Sequence, residues 1–181
     1  MRQEWSPGTQ FSLIVAALAT DILLPIPSSA VSTYAGGVLG FAPGTLASWL
    51  GMTAGACLGY GLARLAGRPL AERFAGAKDL ERVQELARRY GAAAVVLTRP
   101  LPVLAEACVL LMGVARLRWP PFLMAIALSN LAVSATYAAF GQWFRASESL
   151  PVALGISLVV PFVFSWLVRH RLRPGGKRGD A

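Results

Sequence analysis

The sequence predicts an all-α integral membrane protein built as an inverted repeat. Each half is a re-entrant helical hairpin plus a transmembrane helix, with an extra C-terminal transmembrane helix. Three observations predict this fold class. The 181 residues are 55% hydrophobic and only 14% charged, with a mean hydropathy of +0.55, which sets them apart from soluble, disordered and fibrous proteins. Long uncharged runs alternate with basic segments, and two parts of the chain repeat the same proline and glycine spacing.

Three segments are predicted to cross the membrane. Residues 119–144 are uncharged for 26 positions and residues 149–168 for 20, and a straight helix needs about 20 apolar residues to cross. The uncharged run 22–63 is interrupted by prolines and glycines. Its second part, 44–63, is long enough to be the third span, at about 30 Å.

Two other segments are predicted to be re-entrant hairpins, each with a short helix, a turn with two prolines and a second short helix. Such hairpins are tolerated at membrane depth only where protein or water covers the free backbone. The segments are 11–24, 25–27 and 28–40 in the first hairpin and 92–98, 99–102 and 103–113 in the second, and the prolines are Pro25, Pro27, Pro100 and Pro102. Asp21 interrupts the first apolar segment, so we expect a retained hairpin rather than a cleaved signal peptide.

Matched spacings of the same residue types in the two halves indicate an internal duplication. In both halves a glycine precedes a proline by seven residues and a tyrosine by 24. These residues are Gly36, Pro43 and Tyr60 in the first half and Gly113, Pro120 and Tyr137 in the second. Only the distance from the second hairpin proline to the glycine differs, at nine and eleven residues. Two matched spacings in the same order favour a repeat of the kind found in transporters.

The basic residues predict the orientation. Fourteen of the 17 lysines and arginines lie in residues 64–90, 116–118 and 169–178. If the second hairpin enters and leaves the same face, all three segments lie on one side, which the positive-inside rule makes the cytoplasm. The first hairpin then enters from outside and the second from inside, so the repeats are inverted.

We therefore expect one membrane domain over residues 1–168. It divides into a first repeat 9–67, an amphipathic cytoplasmic connector 68–90, a second repeat 91–145 and a C-terminal transmembrane helix 149–168, followed by a basic cytoplasmic tail 169–181. The connector helix lies on the inner leaflet or packs on the bundle as a solvated helix.

Three charged residues lie in apolar segments near the predicted hairpin tips: Asp21, Arg99 and Glu106. Ionisable groups at membrane depth are costly unless paired or hydrated, so they mark functional positions. The Arg99 guanidinium suits a phosphate, and the open N–H groups after each proline turn favour an anion. Asp21 or Glu106 accepts a proton for coupling, or pairs with Arg99 and holds the tips together. Hydroxyl donors in the first hairpin are Ser28, Ser29, Ser32 and Thr33.

Glycines predict close helix packing. Gly51, Gly55 and Gly59 recur at four-residue spacing, and Gly36 and Gly113 hold matching places in the two repeats. Small residues on one face let helix backbones approach closely, within the monomer or across a homodimer.

No catalytic, cofactor or metal-binding pattern is present in the sequence. The one histidine, His170, lies in the basic tail, which leaves no His cluster for a metal or a lipid phosphatase and no Ser/His pair for an intramembrane protease. Basic residues flank apolar runs, which favours contact with anionic lipid headgroups over nucleic acid. We expect no enzyme activity, no cofactor, no metal and no nucleic-acid partner.

Several motifs occur in a characteristic order between residues 20 and 145. They are residues 25–29 with 34–36, residues 59–67, and residues 98–102 with Met112 and Gly113. In this order they resemble the DedA family of membrane proteins, also called the SNARE-associated or VTT-domain family. The resemblance implies two inverted re-entrant hairpins and the flipping of undecaprenyl phosphate or phospholipids across the bacterial inner membrane, or scrambling.

The resemblance implies that Arg99 is the functional charged residue that this chain shares with the family. Many members have a glutamate after the first proline motif, where this chain has Ser28 and Ser29, and a second arginine where it has Ala105. We expect a multi-pass inner-membrane flippase for an anionic lipid, and a possible homodimer. The alternatives are a non-transporting scaffold or assembly factor and a transporter of a small solute.

Overall fold

The protein is helical throughout the residues that the structure describes. This computed structural model describes residues 5–21, 26–75, 85, 87, 89–91, 93–98, 102–146, 151–152, 154–160 and 163. No strand occurs within these ranges, which confirms the all-α class. The predicted basic tail, 169–181, lies outside them.

Five helices have both ends described. They are α1 (Pro7–Ala19), α2 (Ser28–Leu39), α3 (Phe41–Ala75), α5 (Pro102–Val114) and α6 (Trp119–Ala146). We call α4 the helical residues 85, 87, 89–91 and 93–97, and α7 the helical residues 151–152, 154–160 and 163. The short helices α1, α2 and α5 have 12 or 13 residues, whereas α3 has 35 and α6 has 28.

Local signals set the ends of the first two helices. The Ser6 hydroxyl caps α1 by accepting from the Thr9 N–H at 3.2 Å, so α1 begins earlier than the predicted residue 11. Pro27 precedes α2 with a fixed φ of −71°. Gly40 ends α2 with a φ of +87°, a conformation that glycine adopts without strain. The chain can therefore reverse into α3 within one residue.

The third helix is longer than predicted. The predicted span 44–63 lies inside α3, but α3 continues to Ala75. A Cβ at Gly67 would lie 2.6 Å from a methyl group of Val114, so α3 packs on α5 at this position beyond the predicted end. This tertiary contact supports helix beyond the predicted end.

The fifth helix ends in a Schellman motif. The Leu117 N–H donates to the Met112 carbonyl at 3.1 Å, and the Arg116 N–H donates to the Gly113 carbonyl at 3.0 Å. Arg116 takes a left-handed φ of +53°, as the C′ residue of this motif requires. The turn leads directly into α6.

Helix α3 is central to the bundle. It packs against α1, α2, α5 and α6, and α2 also packs on α6. Two apolar clusters result. One is Ile14, Leu18, Ala35, Ala47 and Met52; the other includes Tyr60, Val95, Val109, Met112, Phe122 and Ile126.

The long helices differ in apolar character. Among the described residues, only Trp119–Arg145 is long and apolar enough to cross a membrane by length and hydropathy. Helix α3 includes the predicted span 44–63, but its many glycine and hydroxyl-bearing residues keep its mean hydropathy low. Several of these residues are buried against neighbouring helices. Much of the third predicted span, 149–168, lies outside the described residues.

Candidate functional site at the hairpin tips

Asp21 follows α1 at the end of the first predicted hairpin leg. The Ile26 N–H lies within electrostatic reach of its carboxylate. Its Oδ1 is buried and has no partner among the described residues.

Helix α2 begins with its amide groups directed at this turn. The Pro27 carbonyl accepts from the N–H groups of Ala30 and Val31, at 3.0 and 3.2 Å. Ser28 and Ser29, both half-buried, occupy the first turn, whose N–H groups have no partner within a helix. These amides and hydroxyls are able to receive an anion.

Glu106, in the second predicted hairpin, interacts electrostatically with Asp21 of the first. Thr98 ends α4, where its hydroxyl donates to the Ala94 carbonyl at 2.8 Å, and α5 starts at Pro102. Glu106 is exposed one turn into α5 and is close enough to act electrostatically on Asp21. The two acidic residues thus lie near each other. Arg99, Pro25 and Pro100 lie outside the described residues.

Ser32 belongs to a second group of polar residues, which the sequence reasoning largely missed. It is fully buried where α2 meets α3 and α6, and its Oγ has no partner among the described residues. The others are Thr33, Thr45, Ser48, Asn130 and Ser134. Their one-turn spacing within apolar helices was the available signal, although neutral residues stand out less than charged ones.

The predicted packing glycines contact neighbouring helices of the same chain. A Cβ at Gly51 would meet Val15 and Leu18, and one at Gly55 would lie 2.8 Å from the Leu18 carbonyl oxygen. Both glycines therefore hold α1 against α3. Gly59 is buried in α3.

Gly36 and Gly113 make reciprocal contacts between the halves. A Cβ on Gly36, in α2, would overlap the backbone of Ala138 in α6. A Cβ on Gly113, in α5, would lie 2.5 Å from the Tyr60 carbonyl oxygen in α3. Each short helix thus packs on the long helix of the other half, at or beside the matched tyrosine.

Two arginines tie the long helices to short-helix C-termini. Arg64 of α3 donates to the Leu117 carbonyl, just beyond α5, at 2.8 Å. Arg145 of α6 donates to the Val38 carbonyl of α2 at 3.1 Å. Cations at these positions also complement the helix dipole.

The described residues contain no group of three or more His, Cys, Asp or Glu that could hold a metal ion. The chemical groups at the tips are two carboxylates, helix N–H groups and hydroxyls. Chemically, carboxylates can accept protons, and helix N–H groups and hydroxyls can receive an anion.

Comparison with known proteins identifies the family. The VTT domain matches residues 26–143, a range that includes α2, α3, α5 and nearly all of α6. No curated protein and no solved structure matches the chain. Since the matched range covers more than half of the 181 residues, the chain belongs to the VTT-domain family of DedA membrane proteins.

Proposed function

We propose that this protein moves an anionic lipid, such as undecaprenyl phosphate or a phospholipid, across the bacterial inner membrane as a flippase or scramblase. The electrostatic interaction of Asp21 with Glu106, which belong to different predicted hairpins, is the observation that carries the proposal. Family members are membrane proteins proposed as transporters or flippases, which supports the same function.

The substrate phosphate binds at the tips in this proposal. Arg99 lies between Thr98 and Pro102 in the sequence, and its planar guanidinium binds phosphate with two parallel hydrogen bonds. The first amides of α2, at Ser28 and Ser29, supply further donors. Carboxylates repel phosphate, so protonation of Asp21 or Glu106 favours its entry and couples transport to a proton gradient.

An inverted repeat supplies the path across the bilayer. The reciprocal packing of Gly36 on α6 and Gly113 on α3 supports this symmetry, because each hairpin then leans on the long helix of the other repeat. In such folds the substrate site lies near the midplane, where the repeats meet. The basic connector and C-terminus face the cytoplasm in the proposed orientation.

A non-transporting scaffold or assembly factor is the second candidate function. The electrostatic interaction of the Ile26 N–H with Asp21 favours it, because this carboxylate then stabilises the local backbone. The two functions differ in what they require: a scaffold needs the tips only for folding, whereas a transporter needs their charges.

Reconstitution into proteoliposomes distinguishes the two functions. We would follow the transbilayer movement of a fluorescent phospholipid and of a polyprenyl phosphate, with and without a pH gradient. A charge-assisted hydrogen bond contributes about 1.5–3 kcal/mol, so Arg99→Ala should slow movement about tenfold or more. Glu106→Gln should weaken the dependence on the pH gradient.

Arg118→Ala is the matched control, since Arg118 is exposed beyond α5 and outside the tips. We expect it to transport at the wild-type rate. Equal rates in all three variants, or no movement of either lipid by folded wild type, would contradict lipid transport and favour a scaffold or a small-solute transporter.

A further inference from the structure

A group of buried polar atoms lies between α2, α3 and α6. None of these atoms has a hydrogen-bond partner among the described residues. They are the hydroxyls of Ser32, Thr33, Thr45, Ser48 and Ser134 and the Oδ1 of Asn130. Apart from Thr45, which is 9% exposed, each residue is fully buried. A buried polar group without a partner is destabilising, so their combined presence favours a bound ligand.

Six other hydroxyls among the described residues behave differently. They donate to a carbonyl three or four residues earlier, as the Ser129 hydroxyl does to the Ala125 carbonyl at 2.7 Å. The others that do so are Ser12, Thr20, Thr98, Thr136 and Ser157. The unpartnered hydroxyls therefore point away from the ordinary intrahelical acceptor.

The three helix backbones touch at one place. A Cβ on Gly44 would lie 2.8 Å from the Gly36 nitrogen, and a Cβ on Gly36 would overlap the Ala138 backbone. Helix α3 runs antiparallel to α2 after the reversal at Gly40. Helix α6 is also antiparallel to α3, because Asn130 bonds Thr53 while Phe122 stacks on Tyr60. Hence α2 and α6 run in the same direction.

Three serines converge beside this triple contact. Ser32 lies one turn before Gly36, and Ser134 lies one turn before Ala138. Ser48 lies one turn after Gly44, which is the same direction in space because α3 is antiparallel. Residues four apart share a helix face, so the three hydroxyls face a common interior.

The chemistry of this polar cluster favours a cation. Asn130 uses its Nδ2 to donate to the Thr53 hydroxyl at 3.1 Å, so its Oδ1 remains as an acceptor. Hydroxyl and amide oxygens are hard ligands, which hard cations prefer. The described side chains of the cluster carry no carboxylate, and divalent sites usually use carboxylates; a neutral set suits a monovalent ion.

We propose that the polar cluster between α2, α3 and α6 binds a monovalent metal cation, with Na⁺ as the expected ion. Its ligands are the oxygens of Ser32, Ser48, Ser134 and Asn130. Coupling ions in other transporters bind where helices of two repeats meet, and this cluster joins the first repeat to α6. The proposal does not depend on lipid transport, because binding is measured without a lipid substrate.

Thermal unfolding of the full-length protein in detergent tests the proposal. We would compare NaCl, KCl and N-methyl-D-glucamine chloride at equal ionic strength. A ligand that binds only the folded state stabilises it in a saturable, concentration-dependent way. We expect Na⁺ to raise the melting temperature above that in N-methyl-D-glucamine, and Ser48→Ala to raise the apparent Kd for Na⁺ about tenfold or more.

Ser129→Ala is the matched control, because Ser129 is also a buried serine but its hydroxyl already donates within α6. It should keep the wild-type response to Na⁺. If Ser48→Ala does not fold, equilibrium binding of ²²Na⁺ to wild type and Ser134→Ala gives the same comparison. Equal melting temperatures in the three salts, or a Na⁺ response and affinity unchanged in both cluster variants, would overturn the proposal.

Discussion

Tyr60 joins three elements through one side chain. Its hydroxyl donates to the Leu117 carbonyl and accepts from Arg64. Its ring stacks on Phe122 at 4.2 Å and meets the Trp119 edge at 4.4 Å between centroids. Since the side chain is fully buried, these bonds satisfy a group that burial would otherwise penalise. The result fixes α3 against the turn between α5 and α6.

At this same turn, Arg116→Gly should stabilise the protein. Arg116 holds a left-handed φ of +53°, which costs an L-residue about 1–2 kcal/mol and glycine almost nothing. Glycine is also more flexible in the unfolded chain, which offsets part of this gain. The free energy of unfolding should therefore rise by about 0.5–1 kcal/mol. In thermal unfolding, the melting temperature should rise by about 2–4 °C for each kcal/mol gained.

Arg118→Gly is the control for the lost charge. Arg118 is exposed and is not among the described residues with a positive φ, so glycine brings only the entropic cost. We expect an unchanged or lower melting temperature. A fall in both variants would contradict the contribution that we assign to the Arg116 conformation.

Among the elements, the glycine contacts decide how closely the short helices approach the long ones. Gly36 meets Ala138, and Gly141 of α6 meets the Thr33 carbonyl and the Gly37 nitrogen. Both sides of the α2–α6 contact therefore lack a Cβ where the backbones cross. Buried hydroxyls precede this contact by one turn, at Ser32 and Ser134, so any shift of α2 on α6 would also move the polar cluster.

Gly36→Ala and Gly113→Ala should each destabilise the fold. Each new methyl group would overlap backbone rather than a flexible side chain, and overpacking of this kind costs about 1–3 kcal/mol or more. The measurement is the melting temperature in detergent, together with the yield of monodisperse protein.

Gly61→Ala is the matched control within α3, because nothing lies within 4 Å of a Cβ at Gly61. Alanine has the higher helix propensity, by about 1 kcal/mol, so this variant should be neutral or more stable. Equal losses in all three variants would mean that the two contacts do not determine the packing.

At the scale of the whole molecule, strong local signals made some elements predictable. Helix α2 was predicted as 28–40 and extends over Ser28–Leu39, because Pro27 and Gly40 are definite start and stop signals. The end of α3 was missed: the helix continues to Ala75, past the contact of Gly67 with α5, which only the folded chain contains. The charged tip residues were evident from charge in an apolar setting.

The uncharged residues of the polar cluster were much harder to predict than the charged tip residues. Ser48 and Ser134 resemble any serine in a helix until α2, α3 and α6 are assembled around them. Serine and threonine are tolerated in apolar helices when they bond to their own backbone. Their functional interest arises only from the lack of such bonds, which no sequence pattern reports. Charged residues in an apolar segment can therefore be recognised in the sequence, whereas the lack of hydrogen-bond partners at buried polar residues cannot.

Topology is the remaining prediction for the whole molecule. Helix α1 runs parallel to α3, because Val15 lies against Gly51 and Ala19 lies against Gly55. Gly8 therefore lies toward the end where α3 begins, whereas the turn containing Arg118 follows the contact with Tyr60 and Arg64 near the opposite end. An inverted repeat with its basic segments in the cytoplasm requires these two positions to face opposite sides.

Chemical labelling of single cysteines tests directly on which side each position lies, in a background with Cys57 and Cys108 replaced by serine. Both positions are exposed, and Gly8 has nothing within 4 Å of a Cβ. On intact cells, a membrane-impermeant maleimide should label Gly8→Cys and leave Arg118→Cys unlabelled until the membrane is opened. The reversed pattern would overturn the orientation derived from the positive-inside rule. Labelling of both from outside would place the two helix ends on one face, which an inverted repeat does not permit.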